Sequence, residues 1–178
     1  MIKGFDVFLN DDVHLKEKLT TIGNHVAIDK GFYCTTSLSL GSYIHIGPYT
    51  VVIGGENSKL TMKDSFMSAG CKVVAGSDDF SESNLMGPLI PGDIKKILTT
   101  EIIFEKFSGL GVNCTVLPGI TLSEGSIVCA SSTVTKSTKP WTIYAGNPAR
   151  PIGKRDKNRI LLQESKIRKR GNDEKEWC

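Results

Sequence analysis

The sequence predicts an all-β fold, a parallel β-solenoid closed by a short C-terminal helix. Three observations lead there. Apolar residues recur every six positions through most of the chain, one long segment interrupts the recurrence, and the C-terminal stretch changes to helical patterning. The first run is Ile22, Ile28, Cys34, Leu40, Ile46 and Val52, and after a two-residue slip Leu60 and Phe66 continue it. The second run is Leu98, Phe104, Leu110, Val116, Leu122, Val128 and Val134. A weaker register lies four residues on, at Val26, Phe32, Leu38 and Ile44, then at Cys114 and Ile120. Neither the 3.6-residue period of a helix nor the two-residue period of a strand yields a strict six. Small or turn-forming residues follow the apolar ones, as in Ile22-Gly23, Leu40-Gly41 and Ile46-Gly47, which suits a sharp corner between short strands. Three hexads then make one triangular coil of roughly 18 residues, with in-register side chains filling the prism and stacked coils sharing backbone hydrogen bonds.

In chain order, residues 1–18 are expected to cap one end, and 19–153 to form the solenoid. Its interruption at 75–97 carries Gly76, Gly87, Pro88, Pro91 and Gly92. A long excursion from a rigid repeat is usually a working loop or a disordered one. The remainder, 154–178, is basic, and within it Ile160, Leu161, Leu162 and Ile167 predict a short amphipathic helix over 159–168.

Composition narrows the classes. A chain of 178 residues with 39% hydrophobic content suits one domain with a real core. The formal net charge of +3 gives no global field for nucleic acid. The N-terminus has no signal-like apolar run, and no stretch approaches the roughly 20 apolar residues of a membrane span, so a cytoplasmic protein is expected. The five cysteines, Cys34, Cys71, Cys114, Cys129 and Cys178, form no C-x-x-C pair and read as free packing thiols.

The segments GLGVNCTVLPGITLSEGSIVCASSTVTK and PWTIYAGNPARPIGKR resemble the C-terminal half of the hexapeptide-repeat acyltransferases. In texture the chain is similar to the bacterial sugar acetyltransferases of surface-polysaccharide (O-antigen or capsule) synthesis; IHIGPYTVVIGG at 44–55 and GSDDFS at 76–81 carry the same likeness. The resemblance spans residues 19–156. It implies a single-stranded left-handed parallel β-helix, a homotrimer with sites between subunits, and acetyl-CoA as cosubstrate with no metal.

On that reading Gly109, Gly111, Ala130 and Ser131 fall where the pantetheine arm would lie, and Lys136, Arg150, Lys154 and Arg155 are candidates for the coenzyme's phosphates. Many relatives that acylate hydroxyls carry a loop histidine as base; the equivalent excursion here, Gly76-Ser77-Asp78-Asp79-Phe80, has none. All three histidines, His14, His25 and His45, precede residue 46. His14 and His25 read as surface and wall residues, and His45 as the candidate base. An amine nucleophile needs less help than a hydroxyl, and Asp78 with Asp79 could orient one or take its proton. The expected reaction is therefore acetyl transfer to the amine of a nucleotide-linked deoxyamino sugar, with catalytic candidates His45, Asp78 and Asp79. An O-acetyltransferase acting on a polysaccharide or lipid-linked sugar is the alternative. A non-catalytic solenoid is the rival from another class. A zinc enzyme on this fold would need three converging histidines.

Overall fold

The structure, a computed structural model, describes residues 1–81 and 85–170, with the side chains of 168–170 undescribed. It is a three-sided parallel solenoid. The first face has six strands, Ile2–Lys3, Thr20–Ile22, Ser37–Leu40, Lys59–Met62, Glu101–Phe104 and Thr121–Leu122. The second stacks Val7–Leu9, Val26–Ile28, Ile44–Ile46, Phe66–Met67, Gly109–Leu110, Ile127–Val128 and Thr142–Ala145 in parallel, and Arg150–Lys154 closes it antiparallel. The third has five strands, Tyr33–Cys34, Val51–Ile53, Lys72–Val74, Thr115–Val116 and Thr133–Val134.

Each hexad residue stacks on its counterpart one turn away. Ile28, Ile46, Met67, Leu110 and Val128 are successive register partners, as are Cys34, Val52, Val73, Val116 and Val134. All are buried. The weaker register is equally internal, since Val26, Phe32, Leu38, Ile44, Cys114 and Ile120 all belong to the core. Each coil therefore buries residues of both registers around its corners, which is why one short strand per side suffices to close a hydrophobic core.

Two hexad residues do not lie in the core. Met67, not Phe66, pairs with Ile46 and Leu110, because the corner after Met62 is one residue shorter than its neighbours. Phe66 consequently faces outward at 39% exposure. Leu98 is 38% exposed and belongs to an antiparallel hairpin, Gly76–Asp78 with Ile97–Thr99. The solenoid resumes only at Ile102 and Phe104. The interruption is thus a hairpin-based arm leaving the corner between the third and first faces. Residues 82–84 lie outside the described residues.

The N-terminal segment is part of the solenoid. Its two strands pair with Thr21–Ile22 and Val26–Ile28, and His14 bridges Tyr33. The C-terminal helix, α1 (Lys157–Arg170), starts two residues before the expected span and ends two beyond it. It lies along the corner between the first and second faces. Ile160, Glu164 and Ile167 line one cavity with Tyr43, Asp64 and Phe107 there, and Lys106 bridges Asp64 at 3.1 Å and Glu164 at 3.9 Å. That corner runs in left-handed backbone at His25, Tyr43, Asp64, Phe107 and Trp141, with φ between 39° and 60°. Such angles cost energy for non-glycine residues, and ring stacking of His25 on Tyr43 (centroids 4.7 Å apart) and contact of Phe107 with Trp141 (6.0 Å) help to offset it.

Cys34, Cys71 and Cys114 are buried and free, and Cys129 is half-buried and free. Burial pushes the Cys71 thiol up to about 11 and raises Cys34 and Cys114 in the same direction, so these thiols stay protonated and act as packing groups. Cys178 lies outside the described residues.

Candidate active site

Three of the four expected pantetheine residues, Gly111, Ala130 and Ser131, meet at one edge of the prism. Gly111 and Ala130 occupy successive turns of the corner between the second and third faces. A Cβ on Gly111 would sit 2.6 Å from the Ala130 nitrogen, closer than real Cβ contacts come, so the close stacking there requires glycine. Ser131, at φ 57°, donates its N–H to the Val112 carbonyl and stands exposed at the same corner. One turn above, the Gly146 N–H donates to Ser132 Oγ, and Ala149 donates to the Thr133 carbonyl. The exposed Arg150 follows at the top; among the described residues its guanidinium has no acid partner and donates to its neighbour Ala149's carbonyl at 3.2 Å. Gly109 lies apart, on the second face, with the Phe66 ring covering the place where its Cβ would be.

The basic candidates separate by what they touch. Arg155 donates to the carbonyls of Phe107 and Gly125, both at 2.8 Å, and burial lowers its pKa. It fastens the chain before α1 to the corner between the first and second faces. Lys154 donates to Thr142 Oγ1 at 2.9 Å, which ties it to the antiparallel closing strand. Lys136 is exposed, as Arg150 is.

His45 lies on the second face between Ala27 and Phe66, half-exposed. Its Nε2 is 2.9 Å from Asp29 Oδ2. Asp29 sits on the preceding turn, 16 residues earlier, and was not singled out in the sequence; a search one coil back from each histidine would have found it. His25 has a similar partner, with its Nδ1 2.6 Å from Asp6 Oδ2 and its ring stacked on Tyr43 and edge-on to Phe5. His14 stacks on Tyr33 at 4.7 Å. Among the described residues no group of three or more His, Cys, Asp or Glu is arranged to hold a metal.

Asp78 and Asp79 fasten the arm. Asp78 accepts the Gly87 N–H at 2.6 Å and pairs with Lys95 at 3.1 Å. Asp79, 5% exposed, accepts from the backbone N–H of Ser81 at 2.9 Å and from its hydroxyl at 2.5 Å, and pairs with Lys96 at 3.1 Å. The Ser81 bonds and Lys96 hold the Asp79 carboxyl at about 2, and the Gly87 bond and Lys95 lower that of Asp78. Carboxylates stabilised in this way are weak bases. Both belong to the corner between the third and first faces, so His45 and the aspartates stand on different sides of one prism.

No family model matches the chain. A search of curated proteins finds dTDP-4-amino-4,6-dideoxy-D-glucose acyltransferase of Escherichia coli, 30% identical over 149 residues, which are 80% of this chain and 76% of that protein. The chain belongs to the hexapeptide-repeat sugar acyltransferases. Among solved structures it is similar to AntD, an N-acyltransferase from Bacillus cereus, solved with dTDP and 3-hydroxybutyryl-CoA. That match has a TM-score of 0.88 and 31% identity, over 95% of this chain and 91% of that one. AntD variants at a serine and at an aspartate ten positions further on have also been solved, the serine variant with dTDP-4-amino-4,6-dideoxyglucose and coenzyme A. An O-acetyl transferase relative is also present, the putative lipopolysaccharide biosynthesis protein WbbJ of E. coli K12, 28% identical over 68% of this chain and 60% of its own. As an acyltransferase of this family, the chain has the β-solenoid fold that the six-residue period predicted. No helix among its described residues is long and apolar enough to cross a membrane.

Proposed function

We propose that this acyltransferase moves an acetyl or other short acyl group from coenzyme A to the amine of a nucleotide-linked deoxyamino sugar, for surface-polysaccharide synthesis in the cytoplasm. The observation that carries the proposal is the edge between the second and third faces. It rises from Gly47, beside His45, through Ser68, Gly111 and Ala130–Ser131 to Gly146, four strand spacings or about 19 Å. An extended arm laid along it places its phosphates near Arg150 and its thioester beside His45. Lys136 is the second exposed cation for those phosphates. Arg155 and Lys154, committed to protein contacts, position the closing strand.

The chemistry follows from the groups present. The uncharged amine attacks the thioester carbonyl carbon, the C–S bond breaks as the tetrahedral adduct collapses, and the thiolate leaves. The proton lost by nitrogen passes to a base and then to sulfur. When Nε2–H of His45 donates to Asp29, Nδ1 is the free acceptor for that proton. Asp78 and Asp79, weak bases already ionised, serve to hold the loop and to favour a cationic amine before it loses its proton. The pair Ser68 and Asp78 has the identity and ten-residue spacing of the two AntD positions that were varied, as does Ser83 with Asp93. Of these, Ser68 lies on the coenzyme edge itself.

The arm and this edge leave different corners of the prism. We therefore propose a homotrimer in which the arm of one subunit reaches the edge of the next. Exposed Leu85, Met86, Leu89 and Ile94 on the arm support burial against another copy. Light scattering at working concentration tests the trimer. For the activity, the protein is incubated with acetyl-CoA and either amino or hydroxy nucleotide sugars, and free thiol is followed. Thiol release with the amine alone is the expected result; turnover only with hydroxyl acceptors contradicts it.

A further inference from the structure

Beneath the edge between the second and third faces, one inward side chain per coil forms a column of Thr50, Cys71, Cys114 and Ser132, each one residue before the register partners Val51, Lys72, Thr115 and Thr133. All four are buried. Three of them make the same contact with the coil above. Thr50 Oγ1 donates to the Ser68 carbonyl at 3.3 Å, Cys71 Sγ to that of Gly111 at 3.2 Å, and Cys114 Sγ to that of Cys129 at 3.0 Å. Burial keeps both thiols protonated, so each has the hydrogen that the contact needs. A single S–H···O bond is weak, but the same geometry repeated on successive coils is a feature of the backbone path.

The carbonyls held in this way decide where the neighbouring amides point. Across a trans peptide the C=O and the next N–H point in opposite directions, so a carbonyl drawn inward sends the following N–H outward. Those N–H groups belong to Ala69, Val112 and Ala130. Among the described residues none of the three has an acceptor in the protein, and no backbone N–H reaches the three carbonyls. By contrast, the N–H groups of Gly70, Asn113 and Ser131, one residue on, are taken by the carbonyls of Pro48, Ala69 and Val112. The pattern stops at Ser132, whose hydroxyl accepts the Gly146 N–H instead. The free row therefore runs for two strand spacings, about 10 Å, along an edge where Val112 and Ala130 are exposed. A Cβ on Gly47 or Gly111 would come within 2.6 Å of the Ala69 or Ala130 nitrogen, so the coil below fixes where these amides lie and the column fixes where they point.

We infer that Thr50, Cys71 and Cys114 are positioning residues for the coenzyme: they hold the carbonyls of Ser68, Gly111 and Cys129 inward and so present the N–H groups of Ala69, Val112 and Ala130 to the amide carbonyls of the pantetheine arm. The three side chains act through the backbone and do not touch the coenzyme. Without its donor, a peptide is free to turn its carbonyl toward water, which withdraws the N–H from the edge. The inference rests on the edge as the coenzyme site, proposed above, and adds what aims its amides.

The test makes two substitutions at each position, one that removes the donor at nearly constant size and one that keeps it: Cys71→Val and Cys71→Ser, Cys114→Val and Cys114→Ser, Thr50→Val and Thr50→Ser. Calorimetric affinities for coenzyme A are measured on the full chain, with steady-state kinetics in acyl-CoA and a dTDP-linked amino-deoxyhexose as acceptor. Each valine variant is expected to raise Kd for coenzyme A and KM for acyl-CoA about fivefold with kcat within twofold, the pattern of lost uniform binding. Each serine variant is expected to stay within twofold of wild type. Three independent positions serve if one variant fails to fold. Unchanged coenzyme A affinity in the folded valine variants, or equal weakening by serine and valine, overturns the positioning role, because a packing role follows size and not the donor. Gly111→Ala separates this from the site itself. If it weakens coenzyme A binding and the valine variants do not, the edge stands without the column; if neither it nor Arg150→Ala weakens binding, the edge reading falls and the inference with it.

Discussion

Arg155 and Arg150 are five residues apart and both were phosphate candidates by sequence, yet their surroundings call for opposite outcomes on substitution. In Arg155→Ala, two main-chain carbonyls, those of Phe107 and Gly125, lose a cationic donor 2.8 Å away. Hydrogen bonds to charged groups contribute roughly 1.5–3 kcal/mol each. Partial exposure of the guanidinium lets water replace some of this, so a loss of about 2–4 kcal/mol is expected. For a chain of this size about 2–4 °C of melting temperature accompanies each kcal/mol, so Arg155→Ala should melt roughly 4–16 °C lower at matched protein concentration. Its affinity for coenzyme A, measured well below the melting transition, should stay within twofold. Arg150→Ala should do the reverse, with an unchanged melt and a coenzyme A affinity lowered about tenfold, the loss of one charge-assisted phosphate contact. Scanning calorimetry and a coenzyme titration on both variants decide it. An Arg155→Ala protein that melts normally but binds coenzyme A weakly would refute the assignment.

Other outcomes follow from the same contacts. Asp29→Asn should lower kcat about tenfold and change the pH–rate profile, with little change in KM for acyl-CoA, because the imidazole loses the partner that fixes its tautomer; an unaltered profile would remove His45 from proton transfer. Gly111→Ala forces a Cβ to within 2.6 Å of the Ala130 nitrogen, so the edge must shift, and a higher KM for acyl-CoA is expected in steady-state assays. The carboxylate of Asp79, at about 2 when folded against an ordinary value near 3.9, favours the ordered arm above about pH 4, and this contribution fades as pH falls toward 2. Pepsin should therefore begin to cut within 76–99 across that interval, and Asp79→Asn should be cut at higher pH. Phe104→Ala, which empties a fully buried ring site, should cost about 3–5 kcal/mol in urea unfolding.

How far the sequence reached can be seen at particular residues. A period of six is a property of the backbone path, so Ile28, Cys34 and Val116 could be placed in the core without knowing their neighbours. Phe66 could not, because the shortened corner at Lys63-Asp64 changes the phase by one residue and only the register with Ile46 reveals it. Leu98 was misassigned for a related reason: the hairpin returns in phase with nothing. The N-terminal strands are short and weakly apolar, so the sequence marks 1–18 only as an end of the solenoid, and the pairing of Val7 and Leu9 with Val26 and Ile28 is visible only in the structure. At the proposed coenzyme edge, the shared corner of Gly111, Ala130 and Ser131 was legible because it follows from the local backbone path. Asp29 and Asp6 were not, since each meets its histidine from the turn below, and contact between coils leaves no mark in a motif. The loop aspartates were legible as a pair, but their partners Lys95, Lys96 and Gly87, which the arm's hairpin brings to them, were not.

An amine, not a hydroxyl, is the proposed acceptor of the acyl group. The bond in the product tests it most directly. Purified protein is incubated with acyl-CoA and a sugar nucleotide carrying both an amine and free hydroxyls, and the acylated product is treated with alkaline hydroxylamine, which cleaves oxygen esters and spares amides, and weighed by mass spectrometry. An amide keeps its added acyl mass through the treatment, as this account predicts. Loss of that mass would show an ester and contradict it.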